Sequence, residues 1–134
     1  MKSETPQALL DSYFAAFNRA DLETLVASYE PRGALVAQPG MIAEGPAALR
    51  EALGAFLAMK PVLRAEKNQL VVAGDVALAL TRWTLDGVGP DGKAIRMTGE
   101  ATDVLRRQAD GNWRVALDNP WGVALLGAQG ASST

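Results

Sequence analysis

The chain contains no cysteine and no histidine. Without cysteine there can be no disulfides, thiolate nucleophiles or zinc–cysteine sites, which fits a reducing cytoplasm. Without histidine, Ser-His-Asp and Cys-His chemistry is excluded, together with the commonest transition-metal ligand. Acid–base work must then come from carboxylates, Tyr, Lys or Arg, and neither a metal nor an organic cofactor is expected. Charge of one sign is also lacking. The 13 Lys and Arg are scattered among 15 Asp and Glu, for a net charge of -2. No basic stripe exists to meet phosphates, so nucleic acid is not an expected partner. No apolar run approaches the ~18 residues that a membrane span needs, and the opening Met1-Lys2-Ser3-Glu4 lacks the apolar core of a signal peptide. A cytoplasmic protein without a membrane partner is the expectation.

What is present is one domain's worth of chain. Its 134 residues, 49% hydrophobic and 21% charged, can bury a single good core but not two. Thr5 followed by Pro6 predicts a helix start, with Leu9, Leu10, Tyr13, Phe14 and Phe17 on one stripe. Asp21 predicts the cap of a second, shorter helix carrying Leu22, Leu25, Val26 and Tyr29 and stopped by Pro31-Arg32-Gly33. Ala34 to Ala37 and Met41 to Ala43 read as short strands about the turn Pro39-Gly40. Gly45-Pro46 opens a third helix with Leu49, Leu53, Phe56 and Leu57, ended by Lys60-Pro61. The period then changes. Val62 to Ala73, Val76 to Asp86, Ala94 to Arg107 and Trp113 to Asn119 are four β-type runs separated by hairpin signals.

Helices first and a meander of long strands afterwards predict a segregated α+β fold. Three N-terminal helices pack on a strongly curved antiparallel (mixed) sheet and enclose a pocket for a small apolar or aromatic ligand. Residues 1–122 form the single domain, and 123–134 a tail that is partly disordered from Gly127 onward. Val123 to Leu126 is apolar enough to dock over the pocket mouth or at a subunit contact.

Strand alternation puts Ile95, Met97, Gly99, Ala101, Asp103 and Leu105 on one side, with Asp103 the only ionisable group among them. A carboxyl in such surroundings is pushed toward its neutral form and can donate a hydrogen bond to an oxyanion; the alternative is a buried Asp tied to backbone or Arg. Tyr13, on the buried face of the first helix, needs a partner for its hydroxyl, either a ligand or the backbone. Asp118 ends the last strand and is a candidate base, or else an Asx-type turn before Pro120. Arg82 sits mid-strand beside Trp83 and either meets a buried carboxylate or snorkels to the surface. Phe14, Phe17, Tyr29, Phe56, Trp83, Trp113 and Trp121 line a cavity or simply fill the core. Gln38 and Met97 complete the pocket-lining candidates.

The run Tyr13-Phe14-Ala15-Ala16-Phe17-Asn18-Arg19-Ala20-Asp21-Leu22, the helix opener Gly45-Pro46-Ala47-Ala48-Leu49-Arg50, and Asp110-Gly111-Asn112-Trp113-Arg114-Val115 leading to Asp118-Asn119-Pro120-Trp121-Gly122 come in a fairly specific order. From about Leu9 to Gly122 the chain resembles the SnoaL-like and steroid delta-isomerase-like branch of the nuclear transport factor 2-like superfamily. The resemblance implies a cone-shaped, cystatin-like roll around a deep apolar pocket, and a homodimer through the sheet face. It also implies an oxyanion hole of Tyr13 and protonated Asp103. Where those isomerases carry their aspartate base, this chain has Gln38-Pro39, and an amide cannot accept the proton. Asp118 is then the carboxylate left for that part. The leading expectation is a cofactor-free isomerase or cyclase in which Tyr13 and neutral Asp103 hold an enolate and Asp118 moves the proton. A non-catalytic binding or dimerisation module is the alternative, and an epoxide hydrolase built on Asp103, Arg82 and Asp118 is a third.

Overall fold

The helix starts follow the capping chemistry of the chain. In a computed structural model that describes residues 3–127, α1 (Pro6–Asn18) begins behind Thr5, whose hydroxyl accepts the Ala8 N–H at 3.0 Å. The second helix, α2 (Leu22–Ala27), begins behind Asp21, whose carboxylate accepts the Thr24 N–H at 3.2 Å. The third, α3 (Pro46–Leu57), opens at Gly45 with φ of 85°, a left-handed conformation that glycine adopts without a Cβ clash. Leu9, Leu10 and Phe17 of α1, Leu25 and Val26 of α2, and Leu49 and Leu53 of α3 are buried together.

The strands are β1 (Tyr29–Gln38), β2 (Met41–Glu44), β3 (Val62–Ala73), β4 (Val76–Val88), β5 (Ala94–Arg107) and β6 (Trp113–Asp118). They form one six-stranded curved sheet in the order β2-β1-β6-β5-β4-β3. Four pairings are antiparallel, and β1 runs parallel to β6. The first strand thus lies beside the last, and the fold is the predicted α+β roll. The inner face carries Ala77, Ala79, Trp83 and Leu85 of β4, Ala101 and Leu105 of β5, and Trp113 and Val115 of β6.

Two expectations need correction here. The second helix stops at Ala27, and Tyr29 starts β1 instead of ending the helical stripe. Ser28 closes the helix, its hydroxyl donating to the Thr24 carbonyl at 2.8 Å, while its own carbonyl accepts the Val115 N–H at 2.8 Å. Sheet pairing thereby captures the chain one turn early. Pro31, Arg32 and Gly33 do not end an element but lie inside β1, where the register with β6 shifts between Tyr29 and Ala34. An irregular stretch is where a strand tolerates proline, since no ladder hydrogen bond is lost. At the other end, Gly122–Ala124 forms a 3-10 turn, and Val123 and Leu126 are 74% and 76% exposed. The tail expected to be mobile falls, beyond Gly127, outside the described residues. Among the described residues no helix is long and apolar enough to cross a membrane.

Two glycines let the segment after β6 close over the sheet. A Cβ on Gly99 would meet the Trp83 ring at 2.6 Å and the Pro120 carbonyl at 2.9 Å. Gly122, at φ of 55°, lies so close to the Glu100 carbonyl that a Cβ would stand 1.9 Å from its oxygen. Gly122→Ala is therefore expected to destabilise the fold by about 2 kcal/mol or more. Gly54→Ala, in α3 with nothing within 4 Å of the added Cβ, is expected to stabilise it by about 0.4–1 kcal/mol. Urea midpoints at constant m-value measure both.

Candidate functional site

Plain alternation from Trp113 and Val115 would send Leu117 inward and Asp118 to solvent. The observed ladder does the reverse. Leu105 opposes Val115, but Val104 opposes Leu117, so β6 carries an extra residue at this point. Such a bulge flips the faces of everything beyond it. Leu117 is 39% exposed on the outer face and Asp118 is 9% exposed on the inner one. Carried one step further, the same register sets Asp118 opposite Asp103.

Three hydroxyl or carboxyl groups converge on Asp118. Tyr29, from the first position of β1, donates to Asp118 Oδ2 at 2.6 Å, and Tyr13, from α1, donates to the same oxygen at 3.2 Å. The two phenol oxygens are 2.7 Å apart. Asp103 shares a hydrogen bond with Asp118, and its Oδ1 accepts the backbone N–H of Asn119 at 2.8 Å. The rings of Tyr13 and Phe17 stack at 6.3 Å, and those of Tyr13 and Tyr29 meet edge-on at 5.9 Å.

The electrostatics divide the two acids. Burial pushes the Asp103 carboxyl well above the ordinary range, and the neighbouring charge of Asp118 pushes it the same way. Burial also raises Asp118, but hydrogen bonds from Asp103, Tyr29 and Tyr13 pull it back. Of the two, Asp103 is therefore the better holder of a proton, and Asp118, which accepts from both phenols, the better anion. Desolvation, followed by that anion, lifts both phenols well above their usual value, so both remain neutral donors.

The cluster forms the polar end of a cavity of about 90 Å³. A single water needs roughly 10–15 Å³ on this measure, so the space suits a ring-sized molecule without rearrangement. Tyr13, Asp103 and Asp118 all line it, as do the predicted Phe14, Phe17, Phe56, Trp83, Met97 and Trp121. The indole of Trp83 donates to the Pro120 carbonyl and that of Trp121 to the Val36 carbonyl, each at 2.8 Å, with the rings edge-on at 6.1 Å. These bonds pin the segment after β6 across one wall.

Other predicted site residues lie elsewhere. Tyr29 stands behind the wall, touching Asp118 rather than the cavity. Gln38 is exposed where β1 meets the β2 hairpin and does not line the cavity. Arg82 alternates to the outer face and pairs with Glu100 at 2.8 Å, its side chain 61% exposed. The Asp103–Arg82–Asp118 arrangement required for the epoxide-hydrolase expectation is therefore absent. Trp113 is core. Thr81, unremarked in the sequence, lines the cavity, and its place in the inward alternation of β4 was the available signal. Among the described residues no group of three or more His, Cys, Asp or Glu is placed to hold a metal ion.

Residues 10–116 match the family model described as a SnoaL-like domain. The chain belongs to the SnoaL-like domain family. Solved structures share its fold. A nuclear transport factor 2-like protein from Salmonella enterica is 21% identical over 83% of each chain, with a TM-score of 0.72. A ketosteroid isomerase-like protein from Erwinia carotovora is 23% identical over 84% of this chain and 88% of its own, with a TM-score of 0.67. A protein of unknown function from Mycobacterium tuberculosis is 28% identical over 84% of this chain and 70% of its own, with a TM-score of 0.71. No curated protein matches the chain.

The shared proton makes this SnoaL-like domain pH-sensitive. A carboxyl raised in the folded state contributes stability that is fully present below its unfolded pKa, near 4, and is lost as pH rises through the folded value. The wild type is expected to lose stability on the alkaline side of the carboxylate range, as Asp103 ionises beside Asp118. Asp103→Asn keeps a donor toward Asp118 without a titrating proton, and that limb should flatten. Urea midpoints between pH 5 and 9 for the two proteins provide the check.

Proposed function

We propose that the chain binds a small, mainly apolar carbonyl compound and moves a proton on it without a cofactor, as an isomerase or cyclase. The observation that carries this proposal is the Asp118 carboxyl at the polar end of an apolar cavity, held by the Tyr13 and Tyr29 hydroxyls and flanked by Asp103, the acid that burial raises well above its ordinary range. A buried carboxylate that is fixed in place and water-poor is a competent base, provided that the proton it takes lies within hydrogen-bond reach.

In this mechanism Asp118 removes a proton from the carbon next to the substrate carbonyl. The C–H electron pair moves into the carbonyl and leaves an enolate. As Asp118 becomes neutral it accepts hydrogen bonds less well, and the Tyr13 and Asp103 O–H groups turn to the new oxyanion. Returning the proton to another carbon completes an isomerisation; attack by the enolate carbon on an electrophilic carbon of the same molecule closes a ring. Asp118→Asn is expected to slow exchange of the α-protons of small cyclic ketones into deuterated water by about 100-fold or more. Ligand affinity should stay within a few-fold. Exchange at the wild-type rate would remove Asp118 from the mechanism.

One observation favours a second possibility, a binding module without chemistry. With the cavity free, Tyr13 and Asp103 already satisfy Asp118, so the cluster is complete without a substrate. Binding of small cyclic ketones with no proton exchange in either protein would select it.

We also propose a homodimer through the outer sheet face, in a protein resident in the cytoplasm. Val71, Leu78, Val104 and Leu117 stand opposite one another across β3, β4, β5 and β6 and form an apolar row on that face. Val71, Leu78 and Leu117 are 52%, 38% and 39% exposed, more apolar surface than an isolated sheet face favours. Leu78→Arg should yield a monomer by light scattering after size exclusion, with the cavity still able to bind phenols.

A further inference from the structure

Thr81 carries a hydroxyl that the fold does not use. The side chain is 4% exposed on the inner face of β4, between buried Ala79 and Trp83, and it lines the cavity. Its Oγ1 is buried and has no hydrogen-bond partner among the described residues. Valine has the same shape, suits a strand at least as well and leaves no polar atom to satisfy. Thr81 also borders a second hollow, whose polar lining is otherwise Gln7, Asp11 and Asn68. Those three are joined among themselves, Gln7 to Asp11 at 3.0 Å and Asn68 to Gln7 at 3.3 Å. None of the three bonds the Thr81 hydroxyl, which is left without a partner beside the apolar chamber.

Its position relative to the acid cluster is set by the ladder. Thr81 is opposite Ala101 and Asp103 is opposite Ala79, so Thr81 and Asp103 are diagonal neighbours on the same face. Diagonal neighbours lie roughly 7–8 Å apart at Cα. A ligand in the cavity, which both residues line, can therefore meet the acid cluster at one edge and Thr81 at another.

We infer that Thr81 is a specificity residue, and that the ligand is a flat molecule with two oxygen functions on non-adjacent atoms, the second of which takes the Thr81 hydroxyl as its partner. This rests on the cavity being the ligand site proposed above. The hydroxyl is held unpaired in the free protein and becomes paired when a two-oxygen ligand enters; a one-oxygen ligand of the same shape leaves it unpaired.

Matched phenols test this directly, because a cresol replaces one hydroxyl of a dihydroxybenzene by a methyl group of similar size. Binding of hydroquinone, resorcinol, para-cresol and meta-cresol is measured by calorimetry to the wild type, Thr81→Val and Thr81→Ser. The wild type should prefer at least one diol over its matching cresol. Thr81→Val should weaken that diol by about tenfold, as for one lost hydrogen bond, and leave the cresol within about twofold. Thr81→Ser should restore the preference. The melting temperature of Thr81→Val should equal or exceed that of the wild type, since the fold loses no bond. A drop in melting temperature, or equal weakening of diol and cresol, would show a structural hydroxyl and overturn the assignment while leaving the cavity as a ligand site. Failure of all four phenols to bind the wild type would overturn the ligand site itself, and this assignment with it.

Discussion

A single buried anion organises this domain. Removing a carboxylate from water costs several kcal/mol even after relaxation, so Asp118 can be ionised inside the roll only if donors surround it. Hydrogen bonds to a charged group contribute about 1.5–3 kcal/mol each. Three of them, from Tyr13, Tyr29 and Asp103, match the scale of that cost. Each comes from a different element: α1, β1 and β5. The carboxylate therefore ties the opening helix, the first strand and the centre of the sheet to the end of the last strand, and the apolar cavity exists beside a polar cluster whose hydrogen bonds are already made within the protein.

The same interaction would let the proposed reaction run inside a greasy cavity. Residues such as Phe14, Phe56, Trp83 and Met97 exclude water from the walls, which strengthens every electrostatic contact at the polar end. The donors that would hold a substrate oxyanion are already held by the protein's own carboxylate. A reaction that neutralises Asp118 frees them at the moment when negative charge appears on the substrate, so base and oxyanion hole are coupled through one proton.

Outside the cluster, the surroundings hold rather than react. Trp83 and Trp121 anchor the segment after β6 through their indole N–H groups, and Gly99 and Gly122 leave space for that segment to lie against β5. The outer face carries the charge pairs, Arg82 with Glu100 and Arg106 with Glu30 among them, around an apolar row that remains available to a second copy. The proposed ligand site thus lies on one face of the sheet and the proposed dimer contact on the other.

By itself the sequence determined the element types and most of their limits. Thr5-Pro6, Asp21 and Gly45-Pro46 act locally at the helix starts, and the hairpin residues act locally between the long strands. Period-two alternation also sufficed to turn Asp103 inward on β5 and could have turned Thr81 inward on β4. Local chemistry could not reveal the end of α2, because Tyr29 is drawn into the sheet by pairing with Val115, far along the chain. Nor could it reveal the face of Asp118. That depends on a bulge in β6 that exists only because β5 and β1 pair with it in one particular register, and a slip of one residue exchanges the inside of a sheet for its outside. The tertiary structure alone decided that Asp118 meets Tyr13, Tyr29 and Asp103, while Arg82 and Gln38 do not.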